Sequence, residues 1–192
     1  MENFIKLFKS LPGITEEQVE ICLQAFVKKS FKEKEFFCRE GEICKHIGYI
    51  EKGCFSYYQL TETGKKSIIQ FAFEDWWAGD LESYFSKNVA TSYWQALEDA
   101  EVLAISRNKF DELYRTIPAF AELYRLKTST AYAKSLKKTG ADKILTAEEK
   151  YLKLQNEQPM ILQRVPHYDI AAYLGIAPES LSRIRKKLSN KM

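Results

Sequence analysis

The stretch "APESLSRIRKKL", Ala177 to Leu188, holds the densest set of side chains able to read another molecule. On a helix, Glu179 and Arg183 stand four apart and share a face. Arg183 presents the forked donors that pair with a guanine edge, and Glu179 can accept from a cytosine amine. Ser180 and Ser182 suit phosphates or bases. Arg185, Lys186 and Lys187 suit phosphates, which add affinity rather than sequence choice. The bland alternative is a solvated basic face on a C-terminal helix.

The charge distribution favours recognition. From Val165 onward there are five basic residues and two acidic ones, whereas everything before Val165 carries 24 of each sign. The whole positive excess therefore lies in the terminal segment, as expected of a surface that meets nucleic acid.

Other chemistry has little to work with. There are two histidines, His46 and His167, and four cysteines, Cys22, Cys38, Cys44 and Cys54. Cys38, Cys44, His46 and Cys54 are close in sequence but lack zinc-type spacing, so they read as buried reduced thiols. A cupin-type enzyme would need a cluster of histidine and carboxylate ligands. No G-x-S-x-G, H-E-x-x-H or P-loop pattern occurs. The expectation is a protein that is not an enzyme and holds no metal.

The elements that must position the reading residues are legible upstream, in "HYDIAAYLGIAPESLSRIRKKL". A helix-turn-helix needs a small residue where its helices cross, and Ala171 supplies it. It needs a residue tolerant of positive φ at the turn, four positions on, and Gly175 supplies that. Ile170, Leu174, Ile176, Leu181 and Ile184 are spaced to point inward. Pro178 opens the second helix, whose first turn would enter the major groove.

Further upstream, "TEEQVEICLQAF" reads as a helix capped by Thr15. From about Phe26 to Ser106, short β-rich runs alternate with glycines, suggesting a sandwich, barrel or jelly roll. "TETG" reads as a hairpin turn. After Ser106, "SRNKFDELYRT" is a short helix with Ser106 as N-cap. The segment beginning "IPAFAELYRLKTSTAYAKSLKK" is a longer one, with Pro118 in its first turn. Ala119, Leu123, Leu126, Thr130 and Ala133 follow a 4-3-4-3 spacing, a seam suited to a second copy of the chain. The alternative is a helix packed on its own β domain. Gly140 is expected to end this helix. "TAEEKYLKLQNEQ" is another helix, stopped by Pro159, and "MILQRV" reads as a short strand.

The order of these elements resembles the Crp/Fnr family of bacterial transcription regulators, most specifically through "IAAYLGIAPESLSRIRKKL". The resemblance implies an α+β chain with three parts. Residues 1–116 would form an N-terminal helix and an antiparallel β-roll, or jelly roll, that acts as sensor. Residues 117–140 would be a dimerisation helix, and residues 141–192 a helix-turn-helix DNA-binding domain with a reduced or missing wing. It also implies double-stranded DNA and a second copy as partners, and assigns base reading to Glu179 and Arg183. RNA polymerase stands as a further candidate partner. The family's arginine before that glutamate is replaced by Pro178, so operator preference should differ.

Cyclic-nucleotide binders of this family carry a Gly-Glu pair for the ribose and, about ten residues later, an Arg-Ser/Thr pair for the cyclic phosphate. Here Gly79-Asp80 replaces the first and Ala90-Thr91 stands where the second should be. A buried phosphate there loses its bidentate cation. The candidate pocket residues are Gly79, Asp80, Glu82, Lys87, Ala90, Thr91, Ser92 and Tyr93, with Lys87 a potential substitute charge. The expected effector is an unknown small molecule rather than a cyclic nucleotide. Aromatic residues around the segment, Trp76 to Trp94, could line an apolar cavity, or fill it and leave the roll effector-free. The N-terminal cysteine cluster of the oxygen-sensing branch is missing, and His46 is the only β-domain histidine for haem. No certain cofactor follows. An effector-free or ligand-binding roll without specific DNA binding is the alternative function. The N-terminus does not look like a signal peptide, and no apolar run nears the ~20 residues of a membrane span. The expected location is the cytoplasm.

Overall fold

The computed structural model describes residues 2–189, with the backbone alone at 141–143. Two helices open the chain, α1 (Glu2–Lys9) and α2 (Glu16–Gln24). Thr15 caps α2 through a reciprocal pair: its hydroxyl accepts from the Gln18 N–H, and the Gln18 side chain accepts from the Thr15 N–H, both at 3.2 Å. Two orphan donors are thereby satisfied.

Eight strands follow: β1 (Val27–Phe31), β2 (Phe36–Cys38), β3 (His46–Lys52), β4 (Phe55–Leu60), β5 (Lys66–Ala72), β6 (Trp77–Ala78), β7 (Tyr93–Ala96) and β8 (Ala100–Ser106). They form two four-stranded sheets, ordered β1-β8-β3-β6 and β2-β7-β4-β5. The paired registers of β8 with β1 and β3 run antiparallel. The expected "TETG" turn joins β4 to β5, with the Gly64 N–H donating to the Thr61 carbonyl. Between β6 and β7 lies a short helix, α3 (Leu81–Ser86), and after β8 comes α4 (Arg107–Thr116).

The chain divides into two compact units, residues 1–57 with 72–131, and residues 58–71 with 132–192. The first unit has one apolar core, to which both sheets contribute: Ile47, Ile50, Val102 and Ile105 from one, Phe55, Trp94 and Ala96 from the other. Phe4 and Phe8 of α1 are buried in it, and Phe4 meets Phe26 edge-on at 4.7 Å.

The long helix α5 (Pro118–Ile144) starts at the expected proline but passes straight through Gly140. A helical glycine costs only about 1 kcal/mol against alanine, which a 27-residue helix absorbs. The helix thus outruns the expected limit of 140.

The second unit continues with α6 (Ala147–Glu157), α7 (Pro159–Arg164), α8 (His167–Leu174) and α9 (Pro178–Ser189). Thr146 caps α6 with Glu149 in the same reciprocal arrangement. "MILQRV" is therefore helix and not strand. Pro159 ends α6 and, with its preset φ, also opens α7. Ile161 and Val165, four apart, bury one face. A six-residue apolar run does not distinguish a buried helical turn from a strand by periodicity alone. The expectation about a wing falls beyond Ser189, outside the described residues.

Candidate nucleic-acid interface and sensor cassette

The geometry of α8 and α9 follows the reading from spacing. Gly175 caps α8 at φ +70°, in the left-handed region, and the Ile176 N–H donates 3.0 Å to the Ala171 carbonyl. An L side chain is disfavoured there, so glycine sets the turn. Ile170, Ala171, Leu174 and Leu181 are buried, while Ile176 and Ile184 are half-buried. Burial of these residues fixes which face of α9 looks outward. Glu179, Ser182, Arg183, Arg185, Lys186 and Lys187 are exposed, and Ser180 is half-buried.

Their local bonds differ. The Ser182 hydroxyl donates to the Pro178 carbonyl at 3.1 Å, and Arg183 Nε donates to the Glu179 carbonyl at 3.4 Å. Lys187 is paired with Glu148 of α6 at 2.6 Å, so its charge is partly used within its own unit.

One residue escaped the reading from sequence. Asp169, in the first turn of α8, is fully buried, and neither carboxylate oxygen has a hydrogen-bond partner. Burial raises its carboxyl above the ordinary value, against a smaller lowering by Lys66. In sequence it is one acid near a helix start, where acids are common. Nearby, the Phe71 and Tyr173 rings lie 5.2 Å apart, and Lys138 sits over the Tyr173 ring at 4.5 Å.

The cassette from Gly79 to Tyr93 belongs to the first unit. Gly79 has φ +135°, and a Cβ there would meet Ile47 Cγ2 at 2.9 Å. Asp80 is buried and caps α3, its Oδ1 accepting from the Ser83 N–H at 3.0 Å. Glu82 is exposed and accepts from Ser86 and Asn88. Lys87 closes α3 in a left-handed conformation. It lines a cleft with Tyr84 and Arg107, in whose lining Ala90, Thr91 and Ser92 take no part. Ala90 is buried and clamped from both sides: its N–H donates to the Glu42 carbonyl and its carbonyl accepts from the Gly41 N–H, each at 2.8 Å. Thr91 is exposed, Tyr93 half-buried and Ser92 buried, with the Tyr57 hydroxyl hydrogen-bonded to Ser92. The Tyr57 and Trp94 rings stack at 4.9 Å.

The predicted seam divides. Leu123, 5% exposed, is part of the roll's core, and Ala119 packs partly against it. Leu126 is 50% exposed, and Thr130 and Ala133 are exposed with it. Tyr132 and Leu136, further along α5, are exposed as well.

Among the described residues, no group of three or more His, Cys, Asp or Glu side chains is placed to hold a metal. No helix among them is long and apolar enough to cross a membrane.

Residues 28–116 match the model of the cyclic nucleotide-binding domain. No curated protein sequence matches the chain. Solved structures do. The c-di-GMP-responsive global regulator CLP of Xanthomonas campestris superposes with a TM-score of 0.74 at 15% identity, over 92% of this chain and 93% of that one. The catabolite activator protein of Thermus thermophilus gives 0.57 at 19% identity, over 96% and 87%. A protein from Eubacterium rectale assigned to the Crp/Fnr family of transcriptional regulators gives 0.74 at 13% identity, over 98% and 88%. The roll is thus of the cyclic-nucleotide-binding type. The fold as a whole is that of the Crp/Fnr transcriptional regulators, and these neighbours are regulators, not enzymes.

Proposed function

We propose that this protein is a DNA-binding transcriptional regulator that acts as a dimer, and that its roll senses a small ligand other than a cyclic nucleotide. The observation that carries the reading is the exposed row Glu179, Arg183 and Lys186 on α9, held outward by the buried Ala171 and Leu181. The acid and the arginine read bases, and the lysines and Arg185 track phosphates. The uncovered face of α5 from Leu126 to Leu136 supports pairing with a second copy. Two α9 helices in adjacent major grooves must lie ~34 Å apart, so the target is a palindrome.

The cassette supports the second half. Ala90 offers no guanidinium, and the Asp80 carboxylate is engaged in capping α3. The test is fluorescence anisotropy on a palindromic site selected from random DNA. Arg183→Ala should lose about 1–3 kcal/mol of discrimination at one base step per half-site. Full retention of that discrimination would overturn the base-reading role of Arg183.

A further inference from the structure

The cleft beside Lys87 is walled by three pieces of the first unit. Cys44 and Lys45 come from the loop before β3, Tyr84 and Lys87 from the end of α3, and Ser106 and Arg107 from the junction of β8 with α4. Its volume is about 240 Å³. We infer that this cleft binds the phosphate group of a small phosphomonoester. The site gives the sensing reading above a class of ligand, and only its effect on DNA rests on that reading.

The lining carries three cations, Lys45, Lys87 and Arg107, and no carboxylate. Among the described residues, neither Lys45 nor Lys87 pairs with an acid. Their two charges match a phosphomonoester, whose second proton leaves at about pH 6. Arg107 is held differently. Its Nε donates to both Asp111 carboxylate oxygens at 2.9 Å, and its Nη1 donates to the Tyr84 and Phe85 carbonyls at 3.2 Å. Those bonds fix the guanidinium and leave its Nη2 group uncommitted.

Two further donors lack partners. Tyr84 is 2% exposed, and its hydroxyl has no hydrogen-bond partner among the described residues. A buried donor of this kind is costly unless something completes it. A phosphate oxygen in the cleft that Tyr84 lines supplies the missing acceptor. Ser106 stands at the N-cap of α4 without making the cap hydrogen bond, and no acid lies in the first turn. The first N–H groups of this ten-residue helix therefore keep the partial positive charge that suits an anion.

The walls are tied together in the free protein. The Cys44 N–H donates 2.9 Å to Ser83 Oγ of α3, and that hydroxyl donates 2.6 Å to the Asn88 carbonyl. Arg107 ties the start of α4 to the last carbonyls of α3. The backbone that bears the two lysines is thus set, and only their side chains remain to be ordered. At ~30 Å³ per water, the cleft has room for about eight waters, more than a bare phosphate fills. The remainder suits a compact organic part, for which Ile43 and Cys44 provide apolar wall. A ligand held by all three walls couples the loop, α3 and α4. Only Ile117 stands between α4 and α5, so the binding reaches the helix proposed to pair with a second copy.

The test uses the full-length protein in phosphate-free buffer, titrated calorimetrically with inorganic phosphate, propyl phosphate and acetate. Propyl phosphate should bind saturably and more tightly than inorganic phosphate, and acetate more weakly than either. Lys45 and Lys87 are exposed, so Lys45→Gln with Lys87→Gln should keep the fold. That double variant should bind propyl phosphate about tenfold more weakly, or less still. Tyr84→Phe removes the hydroxyl alone. Without ligand this variant should melt at or above the unmodified protein, because an unsatisfied buried group is gone. Its affinity should nonetheless fall about tenfold, the worth of one hydrogen bond to a charged group. If Tyr84→Phe does not fold, the lysine pair decides. No saturable binding of either phosphate, or unchanged binding in the lysine double variant, would overturn the site. Acetate binding as tightly as propyl phosphate would overturn the phosphate assignment. Operator anisotropy on the same samples tests the sensing reading separately. Saturable binding that the lysine pair abolishes, with operator affinity unchanged, would overturn that reading and leave the site standing.

Discussion

At the scale of single residues, Asp169 is the clearest case of a position whose burial contradicts its type. Burial raises its carboxyl, so the folded state holds this proton more tightly than the unfolded chain. The resulting stability is fully present below the ordinary value of ~3.9 and is lost as pH rises through the raised folded value. Asp169→Asn removes the dependence. Thermal unfolding should show the variant melting a few degrees above the unmodified protein near pH 7.5, with the gap closing toward pH 4. A gap independent of pH would show that the carboxylate carries no such burden. The burial of Asp169 was not legible in sequence, because it depends on which elements fold over it. Ala171 and Gly175 were legible, because the turn they serve is local and its φ requirement admits few residue types.

Among the elements, α5 changes its surroundings along its length, and the two halves of its predicted seam should respond differently to mutation. Leu123 is packed into the roll. Leu123→Ala should cost about 2–5 kcal/mol of stability, measured by denaturant unfolding. Leu126→Asp with Leu136→Asp should instead leave the roll folded and convert dimer to monomer in sedimentation. If the double variant sediments as the unmodified protein does, the uncovered face of α5 is not the dimer contact. The 4-3-4-3 spacing identified a helix with one apolar stripe. It could not say where that stripe passes from covering its own roll to facing outward, since both uses need the same side chains. The misreading of α7 has a related cause. Met160, Ile161 and Leu162 satisfy strand and helix patterns alike, and Pro159, read only as a stop, is also a start.

At the largest scale, the sequence marked off the β-rich stretch because its hydrophobic period changes from helical to alternating near Phe26 and back after Ser106. The charge segregation toward the C-terminus was equally plain. What the sensor binds was not. The cassette lines up with a nucleotide-binding segment, yet its polar groups are satisfied from within the chain: Asp80 by Ser83, Ser92 by Tyr57 and the Ala90 backbone by Gly41 and Glu42. A ligand shifts the protein only through differential affinity for its two arrangements. Cyclic AMP and cyclic GMP at millimolar concentration should accordingly leave the affinity for an operator unchanged in anisotropy titrations. A tightening of about fivefold or more, the lower end of ordinary allosteric coupling, would reverse this assignment.

The clamp on Ala90 limits what one substitution can do. An arginine at this position would have to fit where a methyl group is buried and both backbone groups are bonded to the Gly41–Glu42 turn. Its guanidinium would arrive with the nearest buried acid, Asp80, already committed to the α3 cap. Crowding a packed site and burying a new charge are each destabilising. A single substitution at Ala90 is therefore not expected to create phosphate binding. In this roll the loop over Ala90 and the cap on α3 would have to change together before a phosphate could be held there.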